Sequence, residues 1–154
     1  MDKVTERYSQ WESQFAQANP AIDLGQVRDA LKTIVIETPS WGYADSGTRF
    51  ATFKQAAAAK TLRQKLEDAA QVHKYTGVAG SVDFHIPWDK TDDWREVKGW
   101  AAELGLKMGA INPNLFQDQA YKLGSLTNAD PAVRAKARAH VLECIDIMRQ
   151  TGSQ

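Results

Sequence analysis

Ser81-Val82-Asp83-Phe84-His85-Ile86-Pro87-Trp88-Asp89-Lys90 is the stretch on which the fold class turns. Val82, Phe84 and Ile86 alternate with polar residues, which is the period of a strand with one buried face. The alternation stops at a proline, a tryptophan and two charges. A second run, Ile34-Val35-Ile36-Glu37-Thr38-Pro39-Ser40-Trp41-Gly42-Tyr43, ends in the same manner, its β-branched residues giving way to proline, aromatics and glycine. Burial of a strand asks for no such ending. Where parallel strands alternate with helices, ligand sites form beyond the carboxyl ends of the strands, so His85, Trp88 and Trp41 are expected on that face.

Working outward, Val4, Tyr8, Trp11 and Phe15 recur at helical spacing until Asn19-Pro20, which cannot continue a helix in register. Asp23 is a good N-cap for a second short helix carrying Leu24, Val27, Ala30 and Leu31. Residues 1–33 therefore read as N-terminal helices, and 34–154 as strand-helix units. The first strand is expected over Ile34 to Thr38, followed by a glycine-and-polar loop to Phe50 and a helix from Thr61 to His73 with Gly77 as its stop. After the strand ending at His85 comes a helix from about Asp92 to Leu104, with Trp94, Val97, Ala101 and Leu104 inward. A third strand is expected from Leu106 to Ile111. The stretch from Asn112 to Asn128 is long for a plain connector and reads as a binding loop. Asp130 and Pro131 then start a helix whose inner stripe is Val133, Ala137, Val141, Cys144, Ile145 and Met148, ending at Gly152. Repeated strand-helix units argue a parallel sheet in an α/β fold. About three such units leave a barrel unclosed, since eight of them take roughly 250 residues.

The 154 residues are 43% hydrophobic, enough for a core. Nineteen basic side chains balance nineteen acidic ones, and no basic stripe is set out to neutralise a phosphate backbone, so nucleic acid is not an expected partner. A lone cysteine, Cys144, excludes an internal disulfide or thiolate metal site and fits a reducing compartment. The first residues are charged, and no run approaches the roughly 18 apolar residues of a membrane span. The expectation is a soluble, cytoplasmic protein without a membrane partner.

Several separated strings agree in type and order with one family. Ile36 through Phe50, His85-Ile86-Pro87-Trp88-Asp89-Lys90, Asn112-Pro113-Asn114-Leu115-Phe116, Tyr121 through Leu126 and His140 through Ile145 together resemble the N-terminal part of the L-rhamnose isomerases. These belong to the xylose-isomerase-like (β/α)8 TIM barrels. The resemblance implies an aldose–ketose isomerase interconverting L-rhamnose and L-rhamnulose with divalent metal, manganese above all, in a homotetramer. It implies that His85 contacts the sugar near its ring oxygen and O1 and helps to open it, that Trp41 and Trp88 wall the pocket, and that Phe50 reaches into a neighbouring subunit's site. The metal ligands of such enzymes lie on later strands, so none is expected in this chain. His73, His85 and His140 fall in separate units. The chain is accordingly expected to be a leading, partial barrel, inactive alone and prone to aggregate along its unpaired edge.

Plainer readings stand beside these. His85 can be a satisfied core histidine, although at a strand's carboxyl end a neutral imidazole can exchange a proton at physiological pH. Trp41 and Trp88 can be core aromatics, and Phe50 by spacing alone is buried locally. Asp89 and Lys90 read as a helix start, while Glu37 and Asp83 need partners if buried. Cys144 reads as a small core hydrophobe, and His73 and His140 as helix residues with structural or surface roles. Two other functions fit the same sequence: a different xylose-isomerase-like isomerase or epimerase, and a non-catalytic carbohydrate-binding module.

Overall fold

A computed structural model describes residues 2–18, 22–48 and 51–153. The chain divides into two compact units, residues 1–34 and 35–154. The first contains α1 (Lys3–Ala18) and α2 (Leu24–Lys32). Along α1 the rings of Tyr8, Trp11 and Phe15 follow one another, with centroids 6.2 and 5.6 Å apart, as their spacing of three and four residues requires. Asp23 caps α2 by accepting from Gly25 N at 2.8 Å and Gln26 N at 3.1 Å. Asn19 and Pro20, the expected stop of α1, lie outside the described residues.

The second unit runs β1 (Glu37–Pro39), a 3-10 turn (Ser40–Tyr43), a two-stranded hairpin β2 (Gly47–Thr48) and β3 (Ala51–Thr52), α3 (Leu62–Thr76), β4 (Ser81–Ile86), α4 (Trp94–Glu103), β5 (Lys107–Pro113), a second 3-10 turn (Gln119–Leu123) and α5 (Pro131–Thr151). β1, β4 and β5 form a parallel sheet in the order β1-β4-β5, so the three strand-helix units appear as expected. Three parallel strands with these helices make a mixed α/β fold, not a closed barrel. Sequence locates the helix ends because the caps are local. Thr61 and Gln64 form a capping box on α3, Gly77 ends it at φ 72°, Asp93 caps α4, and Asp130 with Gly152 bracket α5.

Two strands differ from expectation. The first begins at Glu37 rather than Ile34. The N–H of Ile36 is already committed to the carbonyl of Val78 at 3.0 Å, and Ile34, Val35 and Ile36 are about half exposed. The β-branched run thus serves as a connection into the sheet. The third strand continues past Ile111, with Asn112 paired to His85 and Pro113 to Ile86.

Val82, Phe84 and Ile86 are fully buried and face α3, α4 and α5, from which Leu66, Ala69, Trp94, Val97, Ala101, Cys144 and Ile147 meet them. Phe84 and Trp94 pack edge to face at 5.7 Å. On α5 the inner stripe is Ala137, Cys144, Ile147 and Thr151, and Ile145 is 37% exposed. Burial pushes the Cys144 thiol up to about 11, which suits its core position. All three helices cover the same side of the sheet, so the other side keeps the alternate residues Ser81, Asp83 and His85, the last two only half buried.

β5 carries a bulge against β4. Val82 pairs with Met108 but Phe84 with Ile111, so Gly109 and Ala110 together face Asp83. The carboxylate of Glu37 reaches from β1 past Ser81 and accepts the Ala110 N–H at 3.0 Å. Gly109 permits that approach, since a Cβ there would stand 2.6 Å from Glu37 Oε2. No helix of the described residues is long and apolar enough to cross a membrane.

Candidate functional site

The carboxyl ends of β1 and β4 bring three of the expected residues together. Trp41 lies in the 3-10 turn directly after β1, and Trp88 follows the cis Ile86–Pro87 bond after β4. The His85 ring sits between them, 6.4 Å from Trp41 and 6.3 Å from Trp88 by centroids. Both indoles are half exposed, at 51% and 50%, so the three rings form an open rim. A flat apolar wall beside a proton-exchanging ring suits the C–H face of a polyhydroxylated ligand. Phe50 lies outside the described residues.

Asp89 holds this rim in place. It is 1% exposed and far from being a solvated helix start. Its Oδ2 accepts from Ser40 Oγ, one residue before Trp41, and from the backbone N–H of His85 at 2.8 Å. Its Oδ1 pairs with Lys65 of α3 at 2.6 Å, the lysine side chain being 11% exposed. One carboxylate therefore ties both strand ends to α3. Residues 40, 65 and 85 are far apart in sequence, and only Asp89's place in the Pro-Trp-Asp string pointed towards it.

Beneath the imidazole lies Asp83, whose Oδ2 accepts from Asn112 Nδ2 at 2.9 Å. Burial raises the Asp83 carboxyl above the ordinary 3.8, while the nearby His85 and the Asn112 amide pull it down. On the helix side of the same strand ends, a cavity of about 400 Å³ is lined by Ile86, Lys90, Asn114, Tyr121, His140 and Glu143. His140 lies inward here, its side chain 17% exposed, with Nε2 3.2 Å from both Asn114 N and Ile86 O and Nδ1 3.1 Å from Glu143. This makes it a bracket for the ends of β4 and β5. The loop before α5 folds over its own Tyr121, 7% exposed, and leaves Phe116 and Leu123 outside.

Lys90, 2.5 Å from Glu143, and then His140 hold the Glu143 carboxyl below its ordinary 4.5. A depressed carboxylate contributes stability that is present above the unfolded value and lost as pH falls through the folded one. Glu143→Gln is therefore expected to lower the urea midpoint at neutral pH, with the gap to wild type closing as pH falls below 4.5. A gap unchanged by acid would contradict the pairing.

Among the described residues no three His, Cys, Asp or Glu side chains are grouped to hold a metal ion.

No family model matches the chain. It is 37% identical over 142 residues to a Rhizobium meliloti protein named "Probable sugar isomerase", an alignment covering 89% of this chain and 33% of that protein. A Mesorhizobium japonicum protein of the same name is 38% identical over 138 residues, 86% of this chain and 32% of the relative. The xylose isomerase of Thermus thermophilus is 32% identical over 103 residues, 60% of this chain and 27% of the enzyme. The chain thus spans about a third of the length of the curated relatives it matches. Over nearly its whole length it is a relative of sugar isomerases, and over a shorter stretch a relative of xylose isomerases.

Proposed function

We propose that this chain supplies the sugar-facing rim of a metal-dependent aldose–ketose isomerase acting on L-rhamnose. The observation that carries the reading is the His85 imidazole between the Trp41 and Trp88 indoles, at the carboxyl ends of two parallel strands, in a chain related to sugar isomerases. The indoles stack on the C–H face of the pyranose and leave its hydroxyls to polar groups. His85 takes the proton of the anomeric hydroxyl and returns one to the ring oxygen as the C1–O bond breaks, giving the open-chain aldehyde. A divalent ion held outside this chain would polarise the carbonyl oxygens for the C1-to-C2 hydrogen transfer. In this reading Phe50 reaches a neighbouring subunit's site, and the complete enzyme is a cytoplasmic homotetramer.

The test is a hybrid in which this chain replaces the matching third of the Rhizobium meliloti relative, assayed with Mn2+ on L-rhamnose and on D-xylose. Conversion of L-rhamnose to L-rhamnulose, lost on chelation and restored by Mn2+, is the expected result. A folded hybrid that turns over D-xylose but not L-rhamnose would overturn the substrate, and full activity in chelator would overturn the metal.

A further inference from the structure

The residues of β5 cannot serve both the core and the site in an unbroken register. Met108 and Ile111 stand three apart, yet both oppose core-facing residues of β4, Met108 paired with Val82 and Ile111 with Phe84. Successive side chains of a strand point to opposite faces, so that spacing would leave one of the two on the open side. Continued unbroken from Met108, the ladder would set Ala110 opposite Phe84 and Asn112 opposite Ile86. Ile111, 6% exposed, would leave the core, and the Asn112 amide would enter it. The extra residue at Gly109–Ala110 corrects the phase. Ile111 turns inward, while Asn112 pairs with His85 and donates its Nδ2–H to Asp83 at 2.9 Å.

A bulge removes an N–H from the ladder, and an N–H without an acceptor opposes the bulge. The Ala110 N–H is met at 3.0 Å by Glu37 Oε2, from 73 positions earlier in the chain. Glu37 is exposed, so water is open to its carboxylate, and it nonetheless reaches from β1 across β4 to β5. The path is shaped to admit it. A Cβ on Gly109 would stand 2.6 Å from Glu37 Oε2 and 2.8 Å from Ser81 Oγ, so β5 carries no side chain where the carboxylate passes.

We propose that Glu37 is a positioning residue for Asn112: by accepting the Ala110 N–H it holds β5 in the bulged register, and that register turns the Asn112 amide onto the open face of the sheet, below the Trp41 and Trp88 rim. Its reach matters and its charge does not, since the backbone donor asks only for an oxygen at the right distance. The inference takes from the isomerase reading only the side of the sheet on which a ligand lies.

The test needs neither sugar nor metal. In the 154-residue chain labelled with 15N, cross-strand nuclear Overhauser contacts give the β4–β5 register, the Asn112 side-chain amide reports its bond to Asp83, and hydrogen exchange follows the Ala110 N–H. Wild type is expected to show Ile111 opposite Phe84 and an Asn112 amide shifted from the position of a solvated asparagine. Glu37→Gln keeps the length and an acceptor oxygen without the charge, and is expected to preserve both signals. Glu37→Asp keeps the charge but falls one methylene short of Ala110, and Glu37→Ala offers no acceptor. In these two the Ala110 N–H is expected to exchange roughly tenfold faster or more, and the Asn112 amide to move to the solvated position. The aspartate variant serves if the alanine variant does not fold. A folded aspartate or alanine variant with the wild-type Asn112 signal overturns the proposal. So does a glutamine variant that loses that signal, because the effect would then belong to the charge. With no ligand present, failure of the hybrid assay does not imitate failure of this test.

Discussion

Replacing Asp89 by alanine is expected to cost the fold about 3–5 kcal/mol, the range for breaking a buried ion pair from one side. The loss has three parts. The Lys65 ammonium, its side chain 11% exposed, is left without its carboxylate. The His85 N–H and the Ser40 hydroxyl lose their acceptor inside the protein. A void opens where α3 meets the two strand ends. Asp89→Asn, which keeps an acceptor for Ser40 and His85 but removes the charge opposite Lys65, should cost less than the alanine variant. Urea denaturation gives the free energies, and amide hydrogen exchange at His85 localises the damage, because that N–H is expected to exchange far faster without its acceptor. An alanine variant within about 1 kcal/mol of wild type, the worth of an ordinary surface pair, would show that the carboxylate is not the tie between the strand ends.

The parts of the molecule legible in the sequence are those whose causes are local. Thr61, Gly77, Asp130 and Gly152 mark helix ends because a cap is made by neighbours in the chain. β4 is legible because Val82, Phe84 and Ile86 alternate against a core that they fill themselves. The apposition of Trp41 and Trp88 about His85 follows from two strands ending alike and pairing in parallel. Features caused at a distance were hidden. Nothing in Ile34 to Ile36 announces that the Ile36 N–H will go to Val78, so the β-branched run reads as strand from Ile34 although strand pairing begins at Glu37. Nothing near Gly109 announces a bulge closed by a carboxylate from 72 residues away, and the role of Asp89 depends on partners at 40, 65 and 85. On α5, Ile145 and Ile147 are equally apolar. Ile147 is the buried one because it continues the spacing of Ala137 and Cys144, the phase that the sheet selects.

The second large effect is expected at His85. Its replacement by asparagine keeps a polar side chain of comparable reach but removes a group able to take and return a proton near neutral pH. General acid–base catalysis by a positioned side chain is worth roughly 100- to 10,000-fold in rate. The loss should fall on kcat, since Trp41 and Trp88 still offer their faces to the sugar and preserve much of its binding. Thermal unfolding should change little, because the imidazole is half buried on the side of the sheet away from the core and only its backbone N–H is tied to Asp89.

The most direct measurement is therefore kcat/KM for L-rhamnose in the hybrid with the Rhizobium meliloti relative, wild type against His85→Asn, at matched folded concentration. A fall of roughly 100-fold or more with KM nearly preserved is the result expected of an imidazole acting on the sugar ring. An unchanged kcat/KM in a folded hybrid would mean that the ring between the two indoles takes no part in the chemistry.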